Sequence, residues 1–218
     1  MADQRSPRGR HVAWMRDHFA SHPQWTPGRR YYTWFLTFEG HDDVRRLARQ
    51  YQQHLHLANL TLVPLEWLHL TVQGVGDAAE VTESEADRIA AHARVSCARL
   101  TPLTITLGPA RVAAEAVMLD ISPPQPLAQL RQTLQTAIAD VSGADHVPNR
   151  SDSFTPHVSL AYNRAERPAA PLIEVIEQVS TAPAAATITA AQLLILERDA
   201  CVYHWHTHKT VALGQSPT

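Results

Sequence analysis

Two short segments of the chain each place a histidine and a hydroxyl two residues apart: His69-Leu70-Thr71-Val72 and His157-Val158-Ser159-Leu160. Each lies in an apolar run that reads as a strand, where residues i and i+2 share a face. His69 and Thr71 therefore project together, as do His157 and Ser159. A polar pair inside an apolar strand needs a reason. The copies stand at matching points of two helix–strand halves, so halves that face each other would bring two imidazoles and two hydroxyls into one cleft. Histidine ionises near pH 6.5, which lets one ring be neutral and the other protonated, a base beside an acid. The hydroxyls can donate to the oxygens of an anion held between them. The competing reading is a pair of satisfied structural histidines on two strands.

The pattern is short and the chain holds 13 histidines, so a chance match is expected. A third match, His208-Lys209-Thr210-Val211, occurs near the C-terminus. There the run Tyr203-His204-Trp205-His206-Thr207-His208 puts His204, His206 and His208 on one strand face. Three such histidines offer a metal-dependent alternative, although i, i+2 side chains on a flat strand rarely converge on one ion. Arg29 and Arg30, just ahead of the first strand, are either phosphate contacts or a solvated pair. Tyr31, Tyr32 and Trp34 are core residues unless one faces the cleft and stacks on a base. His54 and His56 read as surface residues of a helix, and His11, His18, His22, His41, His92 and His146 show no partner pattern. Cys97 and Cys201 have no base beside them in sequence, which argues against a thiol nucleophile.

Composition narrows the field. A chain that is 44% hydrophobic and 18% charged can bury a core and is not a disordered protein. The net charge is −2, but residues 1–30 hold six arginines against Asp3 and Asp17. A local cluster of that kind suits a small anion or a strand end, not a long duplex. There is no phosphate-binding glycine loop, dinucleotide fingerprint, H-E-x-x-H, C-x-x-C or G-x-S-x-G. Two cysteines make no disulfide framework, no apolar run reaches membrane-spanning length, and the polar start resembles no secretory signal. A cytoplasmic location is expected.

Residues 1–28 read as an irregular lead with one helical turn near 12–19. Strands are expected at 31–38, 60–63, 67–75, 103–107, 116–121 and 157–162, with a closing hairpin of 185–197 and 202–213. Helices are expected at 42–56, from the cap at Thr82 to about 99, from Pro124 and Pro126 to about 141, and at 168–179. Val44, Leu47, Tyr51 and Leu55 form one apolar face of the first helix. Gly108-Pro109 reads as the turn of a hairpin, and 145–156 as irregular. Paired strands alternating with helices imply an α+β domain over 29–213, with a tail at 214–218.

The paired motifs resemble those of the 2H phosphoesterases, also called the 2′-5′ RNA ligase or cyclic phosphodiesterase family. The likeness is strongest at 68–72 and in Phe154-Thr155-Pro156-His157-Val158-Ser159-Leu160-Ala161-Tyr162. The stretch 27–34, with Arg29, Arg30, Tyr31 and Thr33, is similar to the opening of actinobacterial members. The resemblance implies a bilobal fold of two antiparallel-sheet lobes with outer helices, related by a pseudo-twofold around a central groove. It implies an enzyme that opens a 2′,3′-cyclic phosphate or a 2′-5′ linkage in a nucleotide or RNA end, with reverse ligation possible at the same site. His69 and His157 would be the acid–base pair, with Thr71 and Ser159 positioning the phosphate. Arg29, Arg30, Tyr31, Thr33 and His204 would be substrate contacts. No metal or other cofactor is called for. A binding module that keeps the groove but turns nothing over is the remaining alternative.

Overall fold

The computed structural model describes residues 11–150 and 154–214. The start of the lead, part of the irregular stretch at 145–156 and nearly all of the tail lie outside these. The described residues form two large antiparallel sheets, a two-stranded pair and four α-helices, the α+β arrangement expected.

In the first sheet, β2 (Tyr31–Thr37) lies between β4 (His69–Asp77) and β10 (Ala190–Asp199), and β11 (Val202–Ala212) forms the far edge. In the second, β6 (Ala116–Ser122) lies between β7 (His157–Asn163) and β5 (Leu103–Val112), with β9 (Ala184–Ile188) beyond β5 and β3 (Leu60–Leu62) outside β7. Leaving β3 aside, the orders β4-β2-β10-β11 and β7-β6-β5-β9 correspond strand for strand. The two motif strands therefore occupy equivalent places, and β4 and β7 meet at the centre of the molecule.

The helices exchange lobes. α1 (Asp42–Gln52) follows β2 but packs against β7 and β9, whereas α3 (Gln125–Ser142) follows β6 but packs against β4 and α2 (Glu83–Cys97). α1 buries Val44, Leu47 and Tyr51, the face its sequence period selects, and Asp42 and Asp43 sit in its first turn where the helix dipole favours them. The Thr82 hydroxyl accepts from the Glu85 amide at 3.2 Å and caps α2. α3 opens with Pro126 in its first turn and stops at Gly143, whose φ of 92° suits glycine.

Two local expectations are corrected. The lead forms no helix over 12–19; Trp14 and Met15 make β1, paired with β8 (Arg167–Pro168) just before α4 (Ala170–Glu177). That pairing satisfies backbone groups with a partner far away in sequence. Gly108-Pro109 is an irregularity within β5, where the register slips between Leu107 and Ala110, and the turn to β6 lies at residues 113–115. Proline cannot donate to the ladder, so the strand bulges there and continues. No helix of the described residues is long and apolar enough to cross a membrane.

Candidate active site

His69 opens β4 and His157 opens β7, and the two rings are held in the same way. His69 Nδ1 lies 2.8 Å from the Trp67 carbonyl, and His157 Nδ1 lies 2.9 Å from the Thr155 carbonyl. A carbonyl can only accept, so each Nδ1 carries the proton and each neutral ring keeps its Nε2 lone pair. Both rings line one open cavity of about 750 Å³, together with Thr71 and Ser159. The i, i+2 spacing thus does in three dimensions what strand geometry requires.

The walls differ between lobes. Phe35 faces Thr71 across the β2–β4 ladder, and its ring stacks on His69 with centroids 4.2 Å apart. Trp205 closes the edge of the same imidazole at 5.1 Å. In the second lobe Met118 takes the place of Phe35, facing Ser159, and Asp120 faces His157. Burial pushes the His69 pKa down to about 4; the Trp67 carbonyl opposes this, and the charge of His157 adds to it. Burial lowers His157 as well, opposed by the Thr155 carbonyl, with Arg111 lowering it further and Asp120 raising it. Each imidazolium is disfavoured because it would lose water without a carboxylate at contact distance.

Ser159 is buried, and burial raises the pKa of the nearby Tyr162 hydroxyl, with Ser159 opposing the shift. Thr71 stands exposed at the groove. Arg29 lines the cavity; its Nε donates to Asp77 Oδ2 at 2.8 Å, and its guanidinium lies 5.2 Å and 5.3 Å from the Trp25 and Tyr31 rings. Tyr31 and Thr33 line the cavity too, the Thr33 hydroxyl donating to the Gln73 carbonyl at 3.2 Å. Gly74 keeps this wall open, since a Cβ there would meet the Tyr31 ring at 3.2 Å.

Arg30 and His204 are not among the residues that line this cavity. Arg30 pairs with Glu197 at 3.4 Å, and His204 stands between Glu197 and Asp199. From β11, Tyr203 lines the cavity and Trp205 packs against the His69 ring. Nor do His204, His206 and His208 gather into a metal-binding set. His208 Nε2 is bonded to Asp87 at 2.7 Å, and the β10–β11 register slips beside it, which breaks the alternation that would align the three rings. The third motif copy therefore belongs to an α2–β11 contact. Neither cysteine enters the cavity lining; burial pushes the Cys97 thiol up to about 11.

Several groove residues carry no motif signal. His18 and His22 reach the cavity from the lead, and Glu115 from the β5–β6 turn. The His18 ring stacks on Tyr162 with centroids 4.4 Å apart, and its Nε2 meets the Tyr203 hydroxyl at 3.1 Å. Burial, with His22 and Arg198 adding to it, lowers its pKa to about 3. Sequence reasoning missed both histidines; their i, i+4 spacing is the one signal that could have paired them. A second support lies under the floor: Gln73 Oε1 accepts from Arg131 Nε at 3.1 Å and Gln135 Nε2 at 2.9 Å, while Gln73 Nε2 donates to the Pro148 carbonyl at 2.6 Å. The strand that carries His69 and Thr71 is thereby tied to the Pro148–Asn149 rim of the groove.

Solved structures share this architecture. TT0787 of Thermus thermophilus superposes with a TM-score of 0.63 at 18% identity, over 86% of this chain and 98% of its own. E. coli LigT in complex with phosphate gives 0.59 at 18% identity, over 87% and 100%. The same protein in complex with 3′-AMP gives 0.60 at 17% identity, with the same coverage. No curated protein matches the sequence. The family model described as the 2′-5′ RNA ligase superfamily matches residues 36–200, a span that contains both histidine motifs. The chain belongs to the 2′-5′ RNA ligase superfamily.

Proposed function

We propose that the protein is a phosphodiesterase that opens a 2′,3′-cyclic phosphate, or a related 2′-5′ linkage, in a nucleotide or RNA end. The observation that carries this reading is the twin anchoring of His69 and His157, each with Nδ1 fixed and each beside a hydroxyl, on the wall of one cavity. Membership of the superfamily supports phosphoesterase chemistry, and the complexes of LigT with phosphate and 3′-AMP support a nucleotide phosphate as ligand.

In the proposed reaction the phosphorus lies between the rings, with non-bridging oxygens accepting from Thr71 and Ser159. His69, whose pKa burial pushes down to about 4, is neutral and takes a proton from water at its Nε2. The water oxygen bonds to phosphorus as one ribose oxygen departs. His157, in the proposed role of acid, gives its proton to that oxygen. The products are a phosphomonoester and a free ribose hydroxyl, and the next proton exchange with solvent restores both rings. With a ribose hydroxyl in place of water, attack on the cyclic phosphate forms a new phosphodiester as the same ribose oxygen departs with the proton of the acid, and the same groups serve a ligation. Both proton transfers and the anchoring of the anion come from side chains, so the step needs no cofactor. Arg29, beside Trp25 and Tyr31, offers a cation and two aromatic faces to the rest of the substrate. The two cysteines, both free thiols, suit the cytoplasm.

The test is turnover of a 2′,3′-cyclic nucleotide by the full chain, followed by chromatography of the products. The reading predicts a single phosphomonoester product. Tight binding of the nucleotide with no product would instead support the non-catalytic module.

A further inference from the structure

We propose that His18, His22 and Glu115 form a binding site for a divalent transition-metal ion of the zinc class, set in the wall of the groove and joining the N-terminal lead to the second lobe. Among the described residues these three are the only set of histidine, cysteine, aspartate and glutamate side chains whose ligand atoms all lie within 4.8 Å of one another.

The local structure builds the site from two directions. Asp17 accepts from the Phe19 and Ala20 amides at 2.8 Å and 3.0 Å, and the Ser21 amide donates to the Asp17 carbonyl at 3.0 Å. That helical turn brings His18 and His22 to one face, their ring centroids 4.9 Å apart. Glu115 arrives from the β5–β6 turn. Its Oε1 accepts from Arg16 Nη2 at 3.1 Å, which leaves Oε2 facing the two rings.

The distances favour an ion between the three groups. Glu115 Oε2 lies 3.4 Å from His18 Nδ1 and 3.5 Å from His22 Nδ1. A charge-assisted N–H···O bond closes to about 2.8 Å. Two ligands on a tetrahedral zinc with bonds of about 2.0–2.1 Å stand about 3.3 Å apart. His18 has the outer partner that metal-bound imidazoles use, since its other nitrogen meets the Tyr203 hydroxyl at 3.1 Å. His22 Nδ1 lies 2.8 Å from the His18 carbonyl and donates to it. Ligation turns this half-exposed ring away from the carbonyl, so that a ring nitrogen faces Glu115 Oε2 and the ion. All three residues line the cavity, so the fourth coordination position opens towards the groove, to a water or an anionic oxygen.

The experiment titrates Co2+ into the chelator-treated, dialysed full-length protein and reads the visible absorption of four-coordinate cobalt, with no substrate present. The expected result is saturation at one ion per chain, reversed by Zn2+. His22→Ala and Glu115→Gln each weaken binding by more than roughly tenfold, and Tyr203→Phe, which removes only the outer partner, by about tenfold. His206→Ala, on the exposed strand, leaves the affinity unchanged. Circular dichroism checks that each variant is folded. No stoichiometric binding by the full chain overturns the proposal, as does affinity retained in His22→Ala or Glu115→Gln, or affinity lost in His206→Ala.

Discussion

The His69 imidazole lies flat on the Phe35 ring, centroids 4.2 Å apart and planes within 6° of parallel. Together with the Trp67 carbonyl this fixes the ring's plane, position and tautomer at once. The aromatic face also excludes water from one side, and burial is the first cause of the lowered pKa. A histidine held in this way is a pre-oriented neutral base at physiological pH.

Phe35→Leu keeps an apolar side chain but removes the stacking face. The expected outcome is a fall in kcat of about tenfold with little change in KM, since orientation is lost and binding is not. Steady-state kinetics checks this, and an equal effect in a Phe35→Tyr variant, which retains the ring, would contradict it.

The assignment of His69 as base and His157 as acid predicts an asymmetric response to the leaving group. With a nitrophenyl phosphodiester, whose leaving group needs no proton, His157→Ala loses much less activity than His69→Ala. With a 2′,3′-cyclic nucleotide both variants lose roughly 10²–10⁴-fold. The ratio of the two rates for each variant is the measurement. Reversed ratios would exchange the roles.

Both imidazoles lose their protons below the ordinary value of 6.5, because burial penalises the charged ring. The reaction needs His69 neutral and His157 protonated. In the free enzyme kcat/KM therefore rises through the His69 value of about 4 and falls as His157 deprotonates somewhere below 6.5. A bell with its maximum on the acid side of neutrality is expected in a pH–rate profile, and a maximum above pH 7 argues against the scheme.

Gln73 links β4 to α3 and to the groove rim through buried hydrogen bonds. Gln73→Ala takes an acceptor from Arg131 and the tether from Pro148, at a cost of about 1–3 kcal/mol. Urea denaturation should show that loss. KM should rise more than kcat falls, because Pro148 and Asn149 line the cavity while the histidines keep their own anchors.

The sequence was most legible where the chain talks to its near neighbours. The period of α1, the Thr82 cap and the His-x-Thr and His-x-Ser strands are set by residues within a turn or two, and their side chains lie as expected. It was least legible where distant segments meet. His18 gains its meaning from Glu115, Tyr162 and Tyr203, none of them near it in sequence, and Trp14–Met15 became a strand only because Arg167–Pro168 offered a partner. The metal-dependent alternative offered by the three histidines of β11 fails for a related reason. Strict alternation held on paper, but a register slip and the pull of Asp87 separate them in space. Arg29 and Arg30, adjacent and alike in sequence, divide between groove and outer surface because successive residues entering a strand point opposite ways.

The central claim is that His69 and His157 act together on one phosphorus atom, and a double-mutant cycle tests it most directly. Turnover of a 2′,3′-cyclic nucleotide is measured for the wild type, His69→Ala, His157→Ala and the double variant, all confirmed as folded. The account predicts that each single change removes nearly all of the activity and that the second removes little more, as for residues working as one unit. Full turnover in either single variant, or losses that multiply in the double, would contradict it.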